Sequence, residues 1–136
     1  YGLGHVMRIG NPTGEIDDAF VGIGTKTATE ALHVVGNILA SGNITAYSDT
    51  RLKENIIPIT SALDKVSRMN GVNYNLIESG EVGVGVLAQE LEEVAPELVH
   101  EGHYKSIAYG NLTAYLVEAI KELKQKVEDL ENGTDR

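Results

Sequence analysis

Ser48 and Lys53 are the residues in this chain whose types could support nucleophilic chemistry at short range. A serine hydroxyl is a weak nucleophile until a base takes its proton. A lysine serves as that base when burial, or a nearby cation such as Arg51, lowers its pKa toward neutrality. Serine–lysine pairs are one variant of the nucleophile–base arrangement. The spacing sets a constraint. Five residues apart on an α-helix, two side chains lie about 140° apart. On a strand they face opposite sides. The chain must therefore turn between Ser48 and Lys53, or a lysine from a neighbouring subunit must reach across. The plainer reading is that Ser48 or Asp49 caps a helix and Lys53 is a solvated side chain.

Other constellations carry less. Gly83-Val84-Gly85-Val86-Leu87-Ala88 spells G-x-G-x-x-A between a strand and a helix. A dinucleotide site also needs a complete βαβ unit. Pro96 follows within eight residues and no parallel crossover fits, so the glycines read as close-packing positions in a strand. His100 and His103 form H-x-x-H without cysteine or a firm helix, and read as loop histidines rather than metal ligands. Glu90, Glu92 and Glu93 fall mainly on a solvated helix face. No cofactor and no metal are expected.

The elements that must position Ser48 and Lys53 change character at that point. Up to Tyr47 the chain is rich in glycine and β-branched residues. VGIGT, ALHVVGN and ILASGNITA read as short strands broken by glycine turns. Gly36-Asn37-Ile38-Leu39-Ala40 is echoed by Gly42-Asn43-Ile44-Thr45-Ala46, which predicts a β-hairpin or an elongated, intertwined β stalk. Beyond Ser48, Ser61-Ala62-Leu63-Asp64 resembles a capping box. Leu63, Val66 and Met69 follow at helical spacing, with Gly71 as the C-cap. Val72–Ile77 and Val82–Leu87 read as a hairpin turning at Ser79-Gly80. A short helix is expected over Ala88–Val94 and a short strand over Lys105–Tyr109.

From about 110 to 132 the pattern is a heptad repeat. Ile120 and Val127 occupy a, and Leu116, Leu123 and Leu130 occupy d, with Lys124, Lys126 and Glu131 flanking. The a/d residue types lean toward a parallel dimer. The seam is too short to hold chains together alone and suits the end of a larger oligomer.

Composition sets the outer bounds. The 136 residues are 42% hydrophobic but only 5% aromatic, with no Trp, so a large core is poorly supplied and partner subunits are expected to bury apolar surface. A net charge of −9 argues against binding a phosphate backbone. The absence of Cys excludes disulfides. No apolar run approaches membrane-spanning length. The opening at Tyr1, without Met, reads as a piece of a longer protein.

Ser48-Asp49-Thr50-Arg51-Leu52-Lys53-Glu54-Asn55-Ile56 closely resembles the opening motif S-D-x-R-L-K-x-N-I of the peptidase S74 family. These are the intramolecular chaperone auto-processing domains at the C-termini of bacteriophage tail fibres, tailspikes and endosialidases, also present in eukaryotic myelin regulatory factor. The resemblance continues through Gly85–Leu91, Pro96–Val99, Tyr109, Leu112 and Leu116–Lys121, and so covers 48 to 132. Val21–Thr25 and Leu32–Val34 resemble the fibre segment that commonly precedes such a domain.

The resemblance implies an α+β fold in an intertwined homotrimer. Residues 1–47 would be the end of a fibre β stalk, and residues 48–136 a small mixed α/β chaperone domain ending in a coiled-coil helix. It implies trimerisation, where the heptad alone leans to a dimer. It also implies folding of the upstream fibre and self-cleavage at Tyr47-Ser48 by Ser48 as nucleophile and Lys53 as base. Asp49, Arg51, Asn55 and Gln89 are candidate supporting residues, Asp49 for positioning the turn or the lysine and Gln89 as an oxyanion donor. Assembly would take place in the bacterial host cytoplasm, with the mature fibre in the virion tail, and with neither nucleic acid nor membrane as partner. The alternative is a non-catalytic trimerisation module. The same domain in a membrane-tethered transcription factor fits less well, given the GIGT-type segment and the lack of a basic DNA-binding region.

Overall fold

The computed structural model describes residues 7–10 and 20–134. The rest of the expected stalk segment 1–47 lies outside the described residues. The chain folds as two compact units that divide between Leu52 and Lys53.

The first unit carries a three-stranded sheet of β1 (Met7–Gly10), β2 (Phe20–Ile23) and β3 (Leu32–Val34). β1 pairs antiparallel with β2, and β2 pairs parallel with β3, with Val21 opposite Leu32 and Ile23 opposite Val34. Bonds from Val21 N to Ala31 O (2.8 Å) and from Val35 N to Ile23 O (2.9 Å) frame the connecting loop. Gly24 opens that loop at φ +75°, and a Cβ there would stand 2.9 Å from the Val35 carbonyl oxygen, so only glycine fits without strain. The strands read from VGIGT and ALHVVGN are present. The strand expected over ILASGNITA is not: residues 37–49 have no regular structure. Ile38, Leu39 and Ile44 are all largely exposed there. A strand exists only where another strand takes up its N–H and C=O groups, and the G-N-I-x-A echo finds no such neighbour among the described residues.

The second unit is α+β. It runs α1 (Ala62–Ser67), the hairpin β4 (Gly71–Asn75) and β5 (Val82–Val86), α2 (Ala88–Val94), the two-residue strands β6 (Val99–His100) and β7 (Ser106–Ile107), and α3 (Tyr109–Thr134). The hairpin has Val72 opposite Gly85 and Tyr74 opposite Gly83. Its turn is closed by Gly80 N to Leu76 O (2.7 Å) and Leu76 N to Glu81 O (2.8 Å), with Gly80 at φ +72°. α2 ends before Pro96, as expected from proline's missing N–H. β7 falls within the expected strand Lys105–Tyr109, while its partner β6 has no recognisable pattern in so short a run.

Leu91, Ala95, Leu98 and Tyr115 form the core of this unit, with Ile59, Val66, Met69, Val86, Val99, Ile107 and Leu112 packed against it. α2 contributes Leu91 and Val94 at helical spacing, and Leu91 is 1% exposed. Burying such a side chain contributes about 1.5–3 kcal/mol. The inward face of α3 is Leu112, Tyr115, Ala119 and Glu122, spaced 3, 4 and 3, and α3 packs chiefly on α1.

Two details of α1 depart from the sequence pattern. Gly71 begins β4, and the C-cap is Arg68. Ser61 sits at φ +55° and makes no side-chain cap, so there is no capping box. The cap comes from α3 instead: Glu122 Oε1 accepts from Ala62 N and Oε2 from Leu63 N, each at 2.9 Å. A carboxylate across a helix start takes up donors the helix cannot satisfy itself and opposes its positive end. With one full charge delivered to two N–H groups, a Ser61 hydroxyl bond is not needed.

The Leu63 and Ala62 N–H groups hold the Glu122 carboxyl below its ordinary value of 4.5. A depressed native pKa means the cap stabilises fully above the ordinary value and is lost as pH falls through the depressed one. Glu122→Gln is therefore expected to lower Tm by several degrees at pH 7, and the gap to wild type is expected to close in acid. Thermal unfolding followed by circular dichroism between pH 3 and pH 7 measures both.

Candidate functional site

Tyr47 and Ser48 lie in the exposed irregular segment that ends the first unit, and the Tyr47 side chain is 96% exposed. The next residues form one turn of 3-10 helix over Thr50–Leu52, closed by Leu52 N donating to Asp49 O at 3.1 Å. This one turn lies in sequence between Ser48 and Lys53. Asp49 builds it. Its Oδ1 accepts from the Arg51 backbone N–H at 2.9 Å, an Asx turn. The Arg51 guanidinium grips the same carboxylate, Nε at 3.0 Å from Oδ1 and Nη2 at 2.6 Å from Oδ2. The side-chain bond to Arg51 holds the Asp49 carboxyl below its ordinary range, and the same bond raises Arg51.

The structure therefore brings Asp49 and Arg51 together. Ser48 is exposed in the first unit, and Lys53 is exposed as the first residue of the second. Asn55 stands in the left-handed region at φ +51°, a conformation that asparagine tolerates better than most residues. Gln89 is exposed in the first turn of α2, whose N-cap is Leu87.

The remaining motifs resolve into structure. β5, which carries the G-x-G-x-x-A letters, pairs antiparallel with β4, so the chain around it is a hairpin followed by a helix and not a βαβ unit. Gly83 lies under the Tyr74 ring, and a Cβ on Gly85 would stand 2.5 Å from Tyr109 Oη. Tyr109 Oη in turn accepts from Val86 N at 3.3 Å. A shallow groove of about 270 Å³ lies between this hairpin and Tyr109, lined by Gly71, Val72, Val84 and Val86 among others. His100 is on β6, and His103 packs edge-on against Tyr104. Among the described residues no group of three or more side chains is arranged to hold a metal ion.

The carboxylates of α2 are structural. Glu90 accepts from Asn70 Nδ2 at 3.0 Å. Glu92 and Glu101 share Lys105 Nζ at 2.6 and 2.5 Å, and Lys105 is raised by Glu101 first and Glu92 second. Tyr115 donates to Glu97, with Lys65 Nζ 3.4 Å from the phenol oxygen. Neither the Glu122 cap nor the Lys105–Glu92 bridge had a sequence signal, since each joins residues whose meeting depends on the tertiary fold.

Comparison with known proteins places residues 48–100 in the Peptidase_S74 family, described as chaperone of endosialidase. The chain is 39% identical over 101 residues to the long tail fiber protein Gp37 of Enterobacteria phage K3, and equally to that of phage T2. Those matches cover 66% of this chain and 8% of each phage protein. It is 32% identical over 130 residues to myelin regulatory factor homolog 1 of Caenorhabditis elegans, covering 85% of this chain and 14% of that protein. The chain thus spans less than a sixth of the length of each of these relatives.

If Gly85 is a packing position, Gly85→Ala is expected to cost about 1–3 kcal/mol, because the methyl group meets the Tyr109 hydroxyl. Tyr109→Phe in the same chain is expected to return part of that loss. A double-mutant cycle by urea denaturation reads the coupling, and additive costs would dismiss the contact.

Proposed function

Because residues 48–100 are a peptidase S74, chaperone-of-endosialidase domain, we propose that this chain is the C-terminal chaperone of a phage tail fibre or tailspike and cuts itself free at Tyr47-Ser48. The observation that carries this reading is the family match beginning at Ser48, the residue that opens the S-D-x-R-L-K-x-N-I motif. Residues 1–47 are then the end of the fibre, destined for the virion tail, and residues 48–136 the chaperone that leaves it. Folding and cleavage would take place in the bacterial host cytoplasm.

The step is an N-to-O acyl shift followed by hydrolysis. Ser48 Oγ gives its proton to neutral Lys53 Nζ and attacks the Tyr47 carbonyl carbon. The C–N bond breaks, the proton passes to the departing Ser48 nitrogen, and Tyr47 is left as an ester on Oγ. Water then adds to the ester and releases a Tyr47 carboxylate and a chain beginning at Ser48. Tethering supplies much of the rate, because nucleophile and carbonyl are neighbours in one chain. Gln89 is assigned as a donor toward the oxyanion, and Asn55 as the residue that redirects the backbone after Lys53.

The working form is a homotrimer. Two observations support it. The heptad residues Leu116, Ile120, Leu123, Val127 and Leu130 are 41–70% exposed on α3, on the side not used by the domain's own core. Ile56, Ile57, Val82 and Val84 are 67–80% exposed as well. Apolar surface on this scale is characteristic of chains that fold together. Assembly would bury Lys53 and bring it to the neutral form that the reaction requires.

A non-catalytic trimerisation module is the second reading, and it predicts a chain that stays whole. Denaturing mass spectrometry of freshly purified protein is expected to show two fragments meeting at Tyr47-Ser48, and Ser48→Ala or Lys53→Ala to give one full-length mass with the oligomer retained. Normal processing of either variant would sink the dyad. Separately, Ile120→Asp with Leu123→Asp is expected to yield monomers by analytical ultracentrifugation, with cleavage slowed at least as far as assembly is lost.

A further inference from the structure

We infer that Asp49 and Arg51 are positioning residues for self-cleavage: their clasp sets the 3-10 turn that presents Ser48, and Arg51 acts through Asp49 and not as a free cation beside Lys53. The inference rests on the proposed serine–lysine reading and adds to it the device that makes a turn between residues 48 and 53.

Five hydrogen bonds join the two side chains and the turn. Arg51 N donates to Asp49 Oδ1 at 2.9 Å, and Arg51 Nε reaches both oxygens at 3.0 and 3.1 Å. Arg51 Nη2 reaches Oδ2 at 2.6 Å. Leu52 N donates to Asp49 O at 3.1 Å and closes the turn from the backbone side. Asp49, the residue bonded to Ser48, is thus held by its side chain and its carbonyl together. Leu52, at the far end of the turn, is bonded directly to Lys53.

The residue types follow from these contacts. Only Asp or Asn places an acceptor where the Asx turn needs it. Only a planar fork with several N–H groups grips both carboxylate oxygens, which a lysine cannot do. The charges also cancel inside the turn. An arginine whose guanidinium lies on a carboxylate offers little net field to a neighbouring ammonium.

The pair is exposed, with side chains 86% and 39% accessible for Arg51 and Asp49. Exposed ion pairs contribute little to global stability. The effect of the clasp is therefore on geometry at one bond, and removing it should slow cleavage while leaving the fold and the oligomer intact.

The test is the first-order rate of cleavage of the 136-residue chain, triggered by refolding and followed by denaturing mass spectrometry from pH 6 to pH 10. Asp49→Ala and Arg51→Gln are expected to lower the plateau rate roughly ten- to a hundredfold with no shift in the pH midpoint. Asp49→Asn, which keeps the Asx acceptor, should fall between them and wild type, and Arg51→Lys should not restore the rate. Thr50→Ala, in the same turn, should cleave as wild type. Wild-type rates in Asp49→Ala would overturn the clasp. A midpoint moved to higher pH in Arg51→Gln would also overturn it, and would make Arg51 an electrostatic partner of Lys53. Failure of the underlying reading looks different, since Ser48→Ala or Lys53→Ala would then cleave normally or wild type would not cleave. Even then the Arg51 Nε–H can be read by NMR in the Ser48→Ala chain. It is expected to be protected from exchange there and released by adding Asp49→Ala, and an unprotected signal would refute the contact.

Discussion

α3 has to satisfy two apolar faces at once, and the second unit is organised by how it divides them. Leu112, Tyr115 and Ala119 turn inward onto α1 and the Leu91–Leu98 core. Leu116, Ile120, Leu123, Val127 and Leu130 turn outward. A helix that buries only one face in a small domain is ordinary. One that carries a complete heptad seam on its other side has been built for a second set of contacts. Glu122 lies on the inward side and accepts from the N–H groups of Ala62 and Leu63. The helix that would gather subunits is thereby fastened to the element that follows the Lys53 segment. Between Lys53 and α1, Ile59 packs against the core, and Ala62, fully buried, begins α1.

The same division explains which parts of the sequence were legible. α2, the β4–β5 hairpin and α3 follow local rules: a helical period ended before a proline, alternation around a glycine turn, and a heptad. All three are where the pattern put them. The misreadings share one cause. Ser61 looked like a cap, and Gly71 like a helix stop, because those signals assume a helix that supplies its own ends. α1 is six residues long and takes its cap from a residue sixty positions away, so its local signals carry no weight. ILASGNITA has the composition of a strand and no partner strand among the described residues. Composition reports what a segment can pair with, and only the fold reports whether a neighbour is there.

The candidate site was legible for a different reason. The motif at Ser48–Ile56 is short, contiguous and specific, so its chemistry is visible without the fold. The geometry was visible only as a requirement: five residues between a serine and a lysine demand a turn. The 3-10 turn over Thr50–Leu52, with Asp49 and Arg51 locked across it, lies within the motif between those two positions in sequence. Asp and Arg two residues apart have no regular-helix partnership. Their pairing depends on the Asx turn that the same aspartate makes, a coupling that no spacing rule contains.

These features place the local and the distant determinants of the proposed reaction on different footings. The turn at Ser48 is made by neighbours in sequence and can form as soon as the segment exists. The outward faces of α3 and of the β4–β5 hairpin stay exposed until other chains cover them. If the turn alone sufficed, a newly made chain would cut itself before its fibre had folded, and the chaperone would be lost too early. In the proposed reaction, a base that becomes active only on assembly would prevent this. Protonated Lys53 cannot accept the Ser48 proton however well the turn is formed. The proposed order of events is therefore geometry first and locally, and basicity last and from the assembly. In that proposal the ester, once hydrolysed, does not re-form, and the cut would record that the later condition was met.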